Sequence, residues 1–275
     1  MNIDDAIEDL QVLLDNPQGV AEKPMTLAEA IGVRRSRRKY RKTPIESGSV
    51  SSLRELVAEY RTAGNLRMEL VVNNGKAFDG FRKSYGMFSG VCNYIGLIAD
   101  KSDSTAAERF GYYGELLVLH ATAMGLGTCW VGMGGAPADM PFSLAGNEAL
   151  VCSIVLGNTD EQESLKERFI RGLVHRKTKT AEAMSTSDGP VPDWFMRGMK
   201  AVEKAPSAVN RQPVMFSHKA GDVSAAVKTK AGSAQIPALL ALDLGIAKLH
   251  FEIGCGGGKW EWGNGAGFTR RADGS

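Results

Sequence analysis

Two long apolar segments that end in the same way constrain this fold more than any other feature of the sequence. The first, residues 106–126, has helical length and leads into the glycine-containing stretch GTCWVGM. The second, ALLALDLGIAKLHFEIGCGGG at residues 238–258, is also largely apolar and ends in glycines. A helix that is apolar on most sides has to be buried. We therefore predict two core helices, each followed by a tryptophan, Trp130 or Trp260, as the chain leaves the core.

The elements around the two apolar helices follow a similar order. A helix that ends at Gly64, a strand in RMELVVNN and a second strand at residues 93–100 come before the first apolar helix. A helix at residues 194–206 and the strand VMFSHK come before the second, and the short strand KWEWG comes after it. This order suggests an internal duplication. The predicted class is α+β, with helices around a mixed or mostly antiparallel sheet.

Polar and turn-rich residues divide the chain. STSDGPVPD, residues 185–193, is the candidate boundary. We predict an N-terminal extension helix in residues 1–24, a first unit in residues 25–184 and a second, shorter unit in residues 185–275. The acidic N-terminal stretch lacks the basic start of a secretion signal, and the four cysteines have no metal-ligand or Cys-x-x-Cys spacing. We therefore expect a reducing, cytoplasmic location and no metal site.

The charge distribution argues against two classes of partner. Residues 34–42, RRSRRKYRK, hold seven basic side chains, yet the net charge of the 275 residues is only +2. The remaining 26 basic and 31 acidic residues leave no broadly basic face for a nucleic acid. Residues 116–137 are long enough to cross a bilayer, but His120 lies within them and their glycines cluster at one end. We expect neither a nucleic-acid nor a membrane partner.

The basic stretch itself suits a small phosphate. Arginine forks and a serine hydroxyl match phosphate oxygens in charge-assisted hydrogen bonds. The alternate residues Arg34, Ser36 and Arg38 can face one anion, while the basic residues between them point elsewhere. The alternative interpretation is a solvated basic turn.

Two further stretches have groups suited to a small ligand. APSAVNRQP, residues 205–213, offers a hydroxyl and amides, which can donate and accept at the mixed edge of a heterocycle. GLGTCWVGMGG, residues 125–135, has glycines that let the backbone approach a ligand closely. A capped turn and a core-packed helix exit are the respective alternatives.

Together, these stretches resemble the nitroreductase-like flavoproteins, which bind FMN. That family opens with Arg-x-Ser-x-Arg/Lys, here at residues 34–38. It has a Pro-Ser-x-x-Asn-x-Gln-Pro loop, here residues 206–213, and a long apolar helix that ends in Gly-Leu-Gly-Thr-x-Trp-x-Gly, here residues 125–132. The resemblance covers most of residues 25–215.

One departure from the family pattern is informative. In the family the Pro-Ser loop follows the Arg-Ser motif within one unit, but here that place reads YRTAGNLRMELVV. The loop occurs only in the second unit, which has no Arg-Ser motif. Family members are usually homodimers that hold FMN between the Arg-Ser motif of one subunit and the Pro-Ser loop of the other. The resemblance thus implies a fused pseudo-dimer with one FMN per chain, functional as a monomer.

The resemblance also implies which residues bind the cofactor. The basic stretch would hold the FMN phosphate and the pyrimidine side of the ring, Ser207 and Asn210 the opposite rim, and the backbone from Trp130 to Gly132 would approach N5. A late basic segment would complete the phosphate site, and its candidates are Arg176, Lys177 and Lys179. The implied set is Arg34, Arg35, Ser36, Arg38, Trp130, Val131, Gly132, Arg176, Lys179, Pro206, Ser207, Asn210 and Gln212.

The implied activity is that of an oxidoreductase. Hydride would pass from NAD(P)H through FMN to an electron-poor small-molecule acceptor such as a nitroaromatic or a quinone. No catalytic side chain is required for this reaction, so none of the histidines is assigned a role. Two alternatives stay open, because a fold does not fix a function: other flavin chemistry such as dehydrogenation or dehalogenation, and a non-catalytic flavin-binding module.

Overall fold

The computed structural model describes residues 24–80, 86–132, 137–174, 177–228 and 236–271. The helix predicted within residues 1–24 lies outside the described residues. Among the described helices, none is both long and apolar enough to span a membrane.

Helices and strands are mixed along the whole described chain. The helices are α1 (Leu27–Val33), α2 (Ser47–Gly64), α3 (Ala106–Ala123), α4 (Leu165–Val174), α5 (Asp193–Val202) and α6 (Ala238–Cys255). The strands are β1 (Arg67–Val71), β2 (Asn93–Asp100), β3 (Gly127–Val131), β4 (Glu148–Gly157), β5 (Ser185–Ser187), β6 (Val214–Lys219), β7 (Asp222–Val227), β8 (Gly258–Trp260) and β9 (Gly267–Arg270).

The strands form two sheets of matching order. The first sheet runs β1-β2-β4-β3 and is antiparallel throughout. The second runs β5-β6-β7-β9-β8, in which β5 pairs parallel to β6 and the other pairs are antiparallel. Without β5, the order of the second sheet repeats that of the first. The α+β class and the mostly antiparallel pairing are confirmed, with two sheets in place of one.

The two apolar helices, α3 and α6, pack directly on each other in the core. Gly111 and Gly245, called the crossing glycines below, lie at the closest approach of their backbones. A Cβ atom on Gly111 would overlap the carbonyl oxygen of Leu242, and one on Gly245 would overlap that of Glu108. Most residues of both helices are buried. The sequence prediction of two buried helices is therefore confirmed, and glycine permits their close contact.

Helix α1 delivers the basic stretch to the first sheet. Thr26 and Glu29 form a capping box, in which each side chain accepts from the backbone N–H of the other residue. The chain then runs extended beside β3, where the backbone N–H of Arg37 donates to the carbonyl of Thr128 (2.8 Å). This places residues 34–38 next to the exit of the first apolar helix.

The structure adds elements that the sequence pattern did not predict. Strands β3, β5, β7 and β9 were not predicted, and β5 lies inside the stretch interpreted as a unit boundary. The segment after β4 contains a further helix, α4.

Candidate functional site

A cavity of about 500 Å³ lies where four parts of the chain meet. They are the basic stretch after α1, the end of β3, the loop between α5 and β6, and α6. The volume is in the range of cofactor and small-ligand sites, about 300–1,000 Å³. Leu239, Leu242 and Ile246 of α6 give the wall an apolar part. Residues from distant parts of the sequence thus form one concave site.

Most of the residues singled out from the sequence line this cavity. Those that do are Arg34, Arg35, Ser36, Arg38, Trp130, Val131, Gly132, Pro206, Ser207 and Asn210. Gln212 and Lys179 are not among the lining residues, and Arg176 lies outside the described residues.

The basic stretch divides into side chains that line the cavity and side chains that do not. Arg34 Nη1 contacts Ser36 Oγ (3.5 Å), and Arg38 Nη1 donates to the carbonyl of Ser36 (3.3 Å). Arg35 also lines the cavity, although its guanidinium donates to backbone carbonyls of its own turn. Lys39 instead pairs with Asp160 (3.3 Å) on the surface. The predicted alternation therefore holds apart from Arg35.

Arg37 has a structural partner in α4. Its Nε lies 3.3 Å from Glu167 Oε1, and both side chains are buried. Its Nη1 donates to Thr159 (2.8 Å). Desolvation raises the pKa of Glu167, but the backbone N–H groups that donate to it, from Arg38, Ser164 and Lys39, outweigh this and lower the pKa to about 2. The basic stretch is thus anchored by one carboxylate, and part of its charge is neutralised inside the protein.

We predict that this carboxylate makes folding sensitive to acid. Because its pKa is lower in the folded chain than the usual 4.5, its contribution is complete above pH 4.5 and is lost as the pH falls towards 2. The loss should amount to about 3 kcal/mol. Urea unfolding of wild type and Glu167→Gln between pH 5 and pH 2.5 measures it. The difference between the two proteins should shrink with falling pH, and a constant difference would contradict the assignment.

The loop between α5 and β6 is held in an unusual conformation. Val209, Asn210 and Gln212 have positive φ angles of 46°, 51° and 44°. This region is rarely occupied by a β-branched residue such as valine, and backbone strain of this kind is found at functional sites. Ser207 Oγ accepts from the backbone N–H of Gln212 (2.9 Å) and closes the loop. Val209, about half exposed, is presented at the cavity.

Gln212 and Lys179 support this loop from behind. Gln212 Oε1 accepts from the backbone N–H of Lys179 (2.7 Å), and its Nε2 donates to the carbonyl of Glu203 (3.1 Å). Lys179 Nζ donates in turn to the carbonyl of Gln212 (2.8 Å). Both residues were predicted as direct cofactor contacts, but in the structure they bind each other and fix the loop.

A buried carboxylate, Glu115 of α3, connects two of the cavity residues. The indole Nε1 of Trp130 donates to Glu115 Oε2 (2.7 Å), and Arg34 Nε lies 3.8 Å from Glu115 Oε1. The same Oε1 lies 3.0 Å from His250 Nε2, and His250 Nδ1 contacts the carbonyl of Ala201 (3.1 Å). His250 is therefore a core histidine with a partner at each ring nitrogen. Glu115 orients both Trp130 and Arg34.

The sequence reasoning missed three acidic residues that shape the site, Glu115, Glu167 and Asp243. Glu115 and Asp243 lie in the two helices predicted to be buried, and acidic residues are almost never fully buried unless they have a partner. That conflict between residue type and predicted burial was the available signal. Glu167 gave no such signal, because no buried element was predicted around it.

The thiols at the cavity are poorly suited to nucleophilic chemistry. Cys129 and Cys152 both line it. Burial raises the pKa of the Cys129 thiol, and it raises that of Cys152 to about 12. A thiol needs a lowered pKa to react as the thiolate. Within the described residues, no group of three or more His, Cys, Asp or Glu side chains is arranged to hold a metal ion.

Comparison with protein families identifies the class to which this chain belongs. The model of the family described as "Putative TM nitroreductase" matches residues 26–255. This match covers most of the chain, and the protein is a member of that family. The resemblance stated from the motifs is therefore confirmed. The comparison with curated proteins gave no match.

Some solved structures match almost the whole chain, and others match about half of it. A putative nitroreductase from Thermotoga maritima matches with a TM-score of 0.62 and 18% identity, over 92% of this chain and 97% of that one. A nitroreductase with bound FMN from Bacteroides fragilis matches with a TM-score of 0.38 and 18% identity, over 50% of this chain and 91% of that one. A nitroreductase with bound FMN from Desulfitobacterium hafniense matches with a TM-score of 0.40 and 15% identity, over 50% and 93%. The Thermotoga likeness supports the overall fold.

Proposed function

We propose that this protein is an FMN-dependent oxidoreductase. It passes hydride from NAD(P)H through FMN to an electron-poor acceptor such as a nitroaromatic or a quinone. The observation that carries the proposal is the meeting of the basic stretch and the Pro-Ser loop, about 170 positions apart in the sequence, at one cavity of about 500 Å³. FMN supplies the hydride-accepting ring, and this chain supplies binding, orientation and charge around it.

The residues present suit the two ends of FMN. Arg34, Ser36 and Arg38 cluster at one part of the cavity and offer the donors that a phosphate and a ring carbonyl require. The Nε of Arg34 is buried and has no hydrogen-bond partner among the described residues, so a ligand oxygen can satisfy it. Ser207 and Asn210 would hold the opposite rim of the ring. The backbone from Trp130 to Gly132 would lie along its reactive edge.

The matching strand orders support the proposed origin from a fused pseudo-dimer. Each crossing glycine meets the carbonyl three residues before the other one, Leu242 for Gly111 and Glu108 for Gly245. By this symmetry Arg109, two residues before Gly111, is the counterpart of Asp243, two residues before Gly245. Asp243 accepts from the backbone N–H of Ala208 (2.9 Å) in the loop after α5. Arg109 donates to the carbonyl of Asn65 (3.3 Å) in the equivalent turn after α2. The two counterparts therefore contact equivalent loops, but Asp243 is acidic and Arg109 is basic.

Aromatic side chains fill the place equivalent to the cavity. The rings of Tyr112 and Trp262 meet edge-on with centroids 5.5 Å apart, and Tyr113 lies 6.2 Å from the same tryptophan. Trp262 lies two residues after Trp260, whereas a glycine, Gly132, lies two residues after the corresponding tryptophan, Trp130. This difference supports one FMN per chain and a functional monomer.

Flavin titration tests the cofactor and its stoichiometry. The purified protein should bind FMN with the visible bands of oxidised flavin, at one FMN per chain, and should be a monomer by light scattering. Arg34→Ala should weaken binding about ten-fold or more, because a hydrogen bond to a charged group contributes about 1.5–3 kcal/mol. Exposed Arg61→Ala is the matched control. Failure to bind FMN would refute the proposal, and a ratio near two would refute the single site.

Reduction of the bound flavin tests the activity. NADH or NADPH should bleach the flavin bands under anaerobic conditions, and a nitroaromatic or quinone should restore them. Flavin that neither nicotinamide bleaches would favour other chemistry of the same fold. Flavin that is bleached but not reoxidised by any acceptor tested would favour a binding module.

A further inference from the structure

Asp243 is a buried carboxyl group in the wall of the cavity that the proposed reaction leaves without a role. It lies on α6 and is only 4% exposed. Its Oδ1 accepts from the backbone N–H of Ala208 in the Pro-Ser loop (2.9 Å). Its Oδ2 is buried and has no hydrogen-bond partner among the described residues. Burying an ionised carboxylate with one oxygen left without a partner costs free energy, so the surroundings favour the protonated form of Asp243.

The surroundings of Asp243 favour a change of charge near neutral pH. Burial raises its pKa to about 7, although the Ala208 N–H and the nearby Arg211 act in the opposite direction. Burial, and to a smaller extent the charge of Asp243, raises the pKa of the Cys152 thiol in β4 to about 12. Among the described residues, the other charged side chains that line the cavity are Arg34, Arg35, Arg38, Glu163, Glu203 and Lys204.

We propose that Asp243 is a further ligand-binding residue of this cavity, which admits an anionic, phosphate-bearing flavin when protonated and opposes it when ionised. The inference rests on the proposed function, since it concerns the same ligand. A negative charge in a desolvated wall repels an anionic ligand more strongly than it would in water. FMN binding and protonation of Asp243 therefore favour each other, and by linkage each raises the affinity for the other.

The test is the FMN dissociation constant as a function of pH, measured by flavin fluorescence without any turnover. Between pH 7 and pH 9 the FMN phosphate stays largely dianionic, so its own titration contributes little. We expect wild-type affinity to weaken about ten-fold over this range. In Asp243→Asn, which keeps an oxygen for the Ala208 N–H and cannot ionise, affinity should change less than about two-fold.

Controls separate this inference from the proposed function. Glu163→Gln removes another acidic side chain of the cavity and should keep the wild-type pH dependence. If wild type does not bind FMN at any pH, the proposed function fails. If it binds FMN and Asp243→Asn retains the full pH dependence, the role of Asp243 is overturned.

A second measurement does not depend on the variant folding. Calorimetry of FMN binding to wild type at pH 7.5, in buffers of different ionisation enthalpy, should show net proton uptake. Zero uptake or proton release would overturn the inference.

Discussion

Gly245→Ala should lower the free energy of unfolding by about 4 kcal/mol or more, a large part of the roughly 5–15 kcal/mol that stabilises an ordinary protein. The new methyl group would overlap the Glu108 carbonyl and crowd the backbone nitrogen of Tyr112 (2.7 Å). Moving backbone atoms in a packed core costs free energy. Urea denaturation followed by circular dichroism measures the loss.

Gly48→Ala is the matched control for this substitution. Gly48 also lies in a helix, α2, and a Cβ there would meet nothing within 4 Å. The control should be neutral or stabilised by up to about 1 kcal/mol, since alanine is the better helix former. An unfolding free energy of Gly245→Ala within about 1 kcal/mol of wild type would show that α3 and α6 do not pack at the crossing glycines.

Glu115→Ala should cause the second largest loss of unfolding free energy, because Glu115 lies between the core and the site. It removes the acceptor of the Trp130 indole and the carboxylate that faces His250 and Arg34, all at a position that is fully buried. Breaking a buried charged pair by removing one partner costs about 3–5 kcal/mol. Trp130 fluorescence should also change, because its N–H loses a partner. Unfolding free energy and FMN affinity should both fall.

Glu69→Ala provides the comparison for a glutamate on the surface. Glu69 pairs with Arg67 (3.1 Å) on β1, and both side chains are about a third exposed. Exposed ion pairs contribute about 0–1 kcal/mol, so this variant should unfold almost like wild type and bind FMN unchanged. Equal losses in the two variants would contradict a special role for Glu115.

Sequence reasoning succeeded where local pattern and burial agree. The apolar segments at residues 106–126 and 238–258 contain α3 and α6, and the apolar run at Asn93–Asp100 matches β2 in full. It failed for β7, whose buried alternate positions are Val223, Ala225 and Val227, because small residues give a weak alternating pattern. Strand β5 is only three residues long and depends on pairing with β6, about 30 residues later in the sequence, which no local pattern reveals.

The site shows the same division. Residues 34–38 and 206–210 could be assigned to one ligand through the family resemblance, because the motifs themselves are local. The supporting contacts could not be predicted, because Glu115, Glu167 and Asp243 contact segments that are distant in the sequence and meet only in the folded protein. Gln212 illustrates the limit, because it belongs to a binding motif and yet fixes the loop from behind.

The parallel pairing of β5 with β6 has a consequence for how the second sheet avoids self-association. Beyond its pairing with β7, β6 would present unpaired N–H and C=O groups along its other side, and exposed edges of this kind recruit strands from other molecules. Residues Ser185–Ser187 cover part of that side, with Ser185 opposite Phe216 and Ser187 opposite His218. Three residues at the start of the second unit thus protect one edge of a sheet whose other strands lie within residues 214–270.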